Sequence, residues 1–171
     1  MWTYGSWLGG QSACNSWHDA GRAFDLSRLV AGGAVQASCR YDIWSRYSGA
    51  RQRYFRHRYW ALAASLHLHF AYVLTYLYNA DHHNHIHIDN GRSGDHLSTF
   101  DKDSPTQIQA VQGMLIDIWV KQLEITGRWD RRTRIATGEV LAGTEAAGTI
   151  DDGDDHWRSF LRRTAARRSS A

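Results

Sequence analysis

The chain has 171 residues, 43% of them hydrophobic, and a formal charge of only +3, enough for one compact domain or a small domain with a satellite module. No apolar run approaches the roughly 20 residues needed to cross a bilayer, which excludes a membrane-spanning helix. Its basic residues are 18 Arg against 2 Lys, a bias toward the planar guanidinium that grips carboxylates and phosphates.

Residues 2–15 are rich in Gly, Ser and Trp and are expected to be irregular. MWTYGSWLGG, residues 1–10, carries neither the basic stretch nor the apolar stretch of an export signal. Cys14 and Cys39 flank a segment that holds His18 and Asp25, and no CxxC redox or tetrathiolate zinc pattern accompanies them. Either they are two unrelated thiols or, the favoured reading, a disulfide that stabilises the fold by about 3 kcal/mol in an oxidising compartment.

In SWHDAGRAFD, residues 16–25, a histidine and an aspartate lie on either side of a small-residue turn containing Ala20 and Gly21. Such a turn lets His18 and Asp25 face a common point. RQRYFRHRYWALAAS, residues 51–65, lacks Gly and Pro and gathers its apolar residues on one side, which predicts a helix. LHLHFAYVLTYLY, residues 66–78, sets Leu66, Leu68 and Phe70 against His67 and His69 before a continuous apolar run, so a buried strand is expected in its later part. His67 and His69 read as hydrogen-bonded structural residues sharing a face, and His57, His96 and His156 as surface groups.

HHNHIHIDN, residues 82–90, then packs four of the chain's ten histidines into six residues. So many imidazoles are costly in a core unless each ring nitrogen finds a partner. HIHID alternates, and in a strand side chains two apart share a face. His85, His87 and Asp89 are therefore expected on one side, with Ile86 and Ile88 in the core and His82 and His83 in the entering loop. Two imidazoles and one carboxylate drawn from these two distant segments suit a catalytic zinc site, whose three protein ligands leave the fourth position to water. Zinc lowers the pKa of that water to about 7 and polarises a carbonyl, so amide hydrolysis is the natural chemistry.

Residues 90–105 are turn-rich and end in the single proline, Pro105. Beyond them Ile108, Val111, Leu115, Ile118 and Trp119 mark one face of a helix, Gly127 interrupts the pattern, and Asp130 is placed to cap a second helix ending near Gly143. Asp151 to Asp155 and the arginine-rich stretch from Arg158 to Arg168 are expected to be exposed. As a nucleic-acid signal that stretch is weak, since no recognition motif accompanies it, and no nucleic-acid partner is expected.

The residues quoted above resemble a known group. SWHDAGRAFD resembles the SxHxxGxAxD signature of the zinc D-alanyl-D-alanine peptidases. YNADHHNHIHID, residues 78–89, resembles the YNAxHxxHxHxD segment of the extensin-like C-terminal domain family. The resemblance covers roughly residues 14 to 95 by motif. It implies zinc ligands at His18, Asp25 and His87, with His85 either supporting those ligands from behind or contacting the reacting oxygen, and His82 matching a further active-site histidine of murein endopeptidase. Relatives often carry an acidic general base three residues before the last ligand, whereas this chain has Asn84, an amide that accepts no proton at neutral pH. The base then falls to His82 first and His85 second, because imidazole titrates in the useful range. Residues 108–141 resemble a three-helix peptidoglycan-binding domain at Val111, Gln112, Leu115, Gly127, Trp129, Thr133 and Ala136.

The resulting expectation is an α+β protein. A small antiparallel sheet with helices carries the zinc site over residues 1–97, a linker spans 98–105, a helical wall-binding module 106–148, and a charged tail 149–171. The implied activity is zinc-dependent hydrolysis of peptidoglycan peptides outside the cell or in the envelope. The alternative is a metal-holding protein that adheres to the wall without cutting it.

Overall fold

A computed structural model describes residues 2–4, 17–18, 21–91 and 97–168. Its strands are β1 (Trp2–Tyr4), β2 (Ala23–Ala31), β3 (Ala34–Ser38), β4 (Tyr72–Leu74) and β5 (Ile86–Asp89). Its helices are α1 (Tyr41–Trp44), α2 (Gly49–His67), α3 (Pro105–Asp117), α4 (Arg131–Leu141) and α5 (Asp154–Ala166), with 3-10 turns at Ala80–Asn84 and Ile150–Asp152. The architecture is mixed α+β, as expected. Every strand pairing is antiparallel, in the order β1-β2-β5-β4, with β3 also on β2. β2 turns into β3 through Gly32 and Gly33, at φ 58° and 75°, the left-handed pair that a tight hairpin demands. Among the described residues no helix is long and apolar enough to cross a membrane.

Three stretches differ from their expected form. Residues 2–4 form a strand on β2 rather than irregular chain. The predicted helix over 51–65 runs on to His67, because nothing before the turn at Leu68 breaks it, and the strand that follows is only Tyr72–Leu74. His67 and His69 therefore do not share a face: His67 is fully buried at the end of α2 and His69 is exposed. The stretch expected as a charged tail is largely α5. Trp157, Phe160, Leu161 and Thr164 recur at helical spacing and are fully buried, while the arginines lie around them. Asp151 to Asp155 are exposed as expected.

The helical layer is fastened to the sheet by α2. Trp60, fully buried, donates its indole N–H to Asp117 Oδ2 at 2.8 Å, and Arg56 pairs with the same carboxylate at 2.7 Å. The anchored ring lies against Gly113 of α3, where any added Cβ would overlap it. Gly113→Ala is accordingly expected to cost about 1–3 kcal/mol of stability by overpacking, read as a lower urea midpoint with an unchanged slope. Gln112 is also fully buried. Its amide donates to Thr126 Oγ1, the Arg128 carbonyl and Thr133 Oγ1, and its oxygen accepts from the N–H groups of Thr126 and Gly127. This network closes the loop that leads to Asp130, whose carboxylate caps α4 by accepting from Thr133 N at 2.7 Å.

Residues 97–104 are packed in part. Ser98 is buried, donating to the His67 carbonyl and accepting from Trp157 Nε1 at 2.9 Å, and Phe100 sits against Trp129 and Trp157. The His67 ring lies edge-on to Trp157 with both nitrogens lacking a hydrogen-bond partner. Burial alone pushes its pKa down to about 4. Unfolded chain binds a proton there below about 6.5, folded chain only near 4, so protonation favours unfolding and this stability fades as pH falls through that window. Between pH 7 and 5 wild type is expected to lose about 2 kcal/mol more than His67→Phe, measured by urea unfolding at both pH values.

His57, expected at the surface, is buried on α2 with neither ring nitrogen bonded. His156 is half-buried, and His96 lies outside the described residues. Cys39 is fully buried and its thiol is pushed up to about 12 by that burial. Cys14, the other member of the expected disulfide, lies outside the described residues, as does Ser16.

Candidate metal centre

Register builds this site. β2 and β5 run antiparallel with Asp25 directly opposite His87, so the two side chains share a face of the sheet. Ile86 and Ile88 point the other way into the core, as the HIHID alternation requires, at 0% and 4% exposure. His18 arrives from the turn before β2. Gly21, at φ 67°, donates its N–H to the His18 carbonyl at 3.0 Å, and Arg22 donates to the Trp17 carbonyl at 2.9 Å. The Arg22 guanidinium rests over the Trp17 ring.

His18 Nε2 lies 3.4 Å from Asp25 Oδ1 and 3.2 Å from His87 Nδ1, and His87 Nδ1 lies 3.0 Å from Asp25 Oδ1. Two segments more than sixty residues apart in sequence thus bring one atom each from three ligand-type side chains to a common point. Asp89, buried, fixes which ring nitrogen His87 offers. Its Oδ2 lies 3.0 Å from His87 Nε2, as Asp25 Oδ1 does from Nδ1, and both carboxylates only accept; with a metal ion in place of the Nδ1 proton, Asp89 keeps the remaining hydrogen on Nε2. Asp89 is itself held by the Gly91 N–H at 2.7 Å.

Hydrogens on the imidazole nitrogens satisfy the Asp25 carboxylate here. Burial lowers the affinity of His87 for a proton, yet its bonds to Asp25 and Asp89 outweigh that and raise its pKa. Burial likewise pushes Asp25 up, but the His87 bond and the charges of His85, His18 and His87 hold it below the usual carboxylate range. A divalent ion meets the same need. Tetrahedral ligands about 2.0–2.1 Å from zinc stand about 3.3 Å from one another, which the three observed separations match. The three groups could therefore hold a metal ion of that size.

Two more imidazoles border the cluster. His85 Nε2 is 3.6 Å from Asp25 Oδ1, and the His82 ring lies 4.9 Å from that of His85 and 6.1 Å from that of His87. Both owe their tautomer to an asparagine. Asn84 Oδ1 accepts from His85 Nδ1 at 2.5 Å, and Asn79 Oδ1 accepts from His82 Nδ1 at 2.6 Å. An amide oxygen cannot donate, so both rings carry hydrogen on Nδ1 and keep a basic Nε2. Burial, reinforced by the neighbouring charges of His85 and His87, lowers His82 to about 4. Burial also lowers His85, although Asp25 opposes it. At neutral pH both stand in the base form, His82 as a weaker base than the free imidazole the sequence led one to expect.

All five residues singled out in the sequence, His18, Asp25, His82, His85 and His87, thus lie in one cluster. His83 turns aside to the Tyr41 ring, and Asp81 is exposed. Sequence reasoning missed Asn79, whose signal is its position as the cap of the 3-10 turn that presents His82, and treated Asn84 only as a lost base. It also missed Tyr78, which meets His82 edge-on at 5.1 Å. No model of a known family matches the chain, and no curated protein or solved structure is detectably similar to it.

Proposed function

We propose that the chain is a zinc-dependent peptidase acting on peptidoglycan peptides, in the compartments where that polymer is found. The observation that carries this reading is the convergence of His18 Nε2, Asp25 Oδ1 and His87 Nδ1 within hydrogen-bonding distance of one another, beside two neutral imidazoles. Zinc bound there supplies a Lewis acid for the scissile carbonyl and a water of lowered pKa. Asp89 keeps the His87 lone pair turned inward, and Asn79 and Asn84 keep Nε2 of His82 and His85 free to take a proton. His82 serves as general base and then returns the proton to the leaving amine, while His85, nearer the ligands, meets the reacting oxygen. Gln112, Gly127 and Thr133, which carry part of the wall-binding likeness of residues 108–141, join in one buried network that shapes the loop before α4, and wall affinity there would raise the local concentration of an insoluble substrate.

Asn84 favours a second reading, a metal-holding protein that binds the wall without cutting it. A dye-release assay on purified peptidoglycan, with and without chelator, separates the two. Release that chelator abolishes and zinc restores supports the peptidase, and binding without release supports the alternative.

A further inference from the structure

A groove of about 1070 Å³ opens between β4 and the helical layer, at the upper end of the size of ligand sites. One wall is β4 itself, the last strand of its sheet, whose outer edge pairs with no other strand among the described residues. Tyr72 and Tyr78 border it at 56% and 50% exposure. The facing wall carries Asp101 from the loop before α3, and Asp154 and Arg158 from α5.

The groove borders the histidine cluster through two residues. Asp89 lines it and bonds His87, and Tyr78 lines it and packs against His82. Its charge is acidic. Asp89 is already engaged by His87 and Gly91, which leaves the exposed Asp101 and Asp154 facing one arginine, and Arg158 approaches Asp154 only to 3.9 Å. An open strand edge offers main-chain donors and acceptors, which another main chain satisfies best.

We propose that this groove seats an extended peptide carrying a free side-chain amine, laid along β4 with its scissile end toward the cluster and its amine between Asp101 and Asp154. The proposal rests on the reading of the cluster as a peptide-hydrolysing centre. It makes the helical layer one wall of the substrate site as well as a contact to the polymer.

The test is calorimetric titration of the full chain, in chelator so that nothing is hydrolysed. The probes are a synthetic stem pentapeptide with a free lysine amine and the same peptide with that amine acetylated. Wild type is expected to bind the free amine about tenfold more tightly. The double variant Asp101→Asn with Asp154→Asn, which keeps the oxygen that accepts from Asp103 N, is expected to lose that preference. Absence of binding, equal affinity for the two peptides, or an undiminished preference in the double variant would overturn the proposal. So would a dimer in sedimentation that Tyr72→Arg dissociates. Because binding is read without metal, amine-dependent affinity in a protein that never hydrolyses peptidoglycan sinks the catalytic reading alone, and hydrolysis without amine preference sinks the groove alone.

Discussion

His87→Ala is expected to abolish stoichiometric zinc and with it all chelator-sensitive release of peptidoglycan fragments. His87 offers Nδ1 at 3.0 Å from Asp25 and 3.2 Å from His18, so its loss leaves only two ligands. Truncation should not unfold the chain, because the ring lies on the site face of β5 while Ile86 and Ile88 fill the core behind it. Asp89→Asn is a graded companion. An amide turned to present its oxygen still accepts from Nε2 but without charge, and zinc affinity is expected to fall about 10–100-fold rather than vanish. Zinc titration with a competing chromophoric chelator reads both. Stoichiometric zinc in His87→Ala would remove that residue from the ligand set.

The second large effect is expected at His82. Its Nε2 is held free by the bond from Nδ1 to Asn79, and the residue three before His87 is the amide Asn84 rather than a carboxylate. His82→Ala is expected to keep one zinc per chain and lose about 10²–10⁴-fold in turnover. Asn79→Ala, which releases the ring to either tautomer, should produce a smaller loss with the metal intact. Loss of zinc in His82→Ala would mean that ligand and base had been exchanged, and unchanged turnover would pass the role to His85, 3.6 Å from Asp25.

The site was legible because its information is local. A period of two in HIHID fixes which side chains face the cleft, and the glycine of the SxHxxGxAxD turn fixes how His18 folds back. What could not be read was the pairing of β2 with β5, since antiparallel register depends on the packing of both strands rather than on either alone. The histidine tautomers were hidden for a related reason. At His82 and His85 they depend on Asn79 and Asn84 reaching particular ring nitrogens, and composition says nothing of that.

The fold was read less completely where one residue type carried two meanings. Arginines after Asp154 suggested a solvated tail, yet Trp157, Phe160, Leu161 and Thr164 between them form the apolar stripe by which α5 packs on α2. Leu66, Leu68 and Phe70 alternated like a strand, but the helix entering from Gly49 had the longer run of favourable residues and extended over His67. His57 and His67 resembled ordinary polar residues. Both are buried without partners, which burial tolerates only because imidazole can remain neutral.

The most direct measurement of the central claim is anomalous diffraction at the zinc edge from crystals grown with zinc. One ion per chain is expected, bound by Nε2 of His18, an oxygen of Asp25 and Nδ1 of His87, with a water completing the shell. Zinc held elsewhere, or no ordered zinc at saturating concentration, would contradict the account.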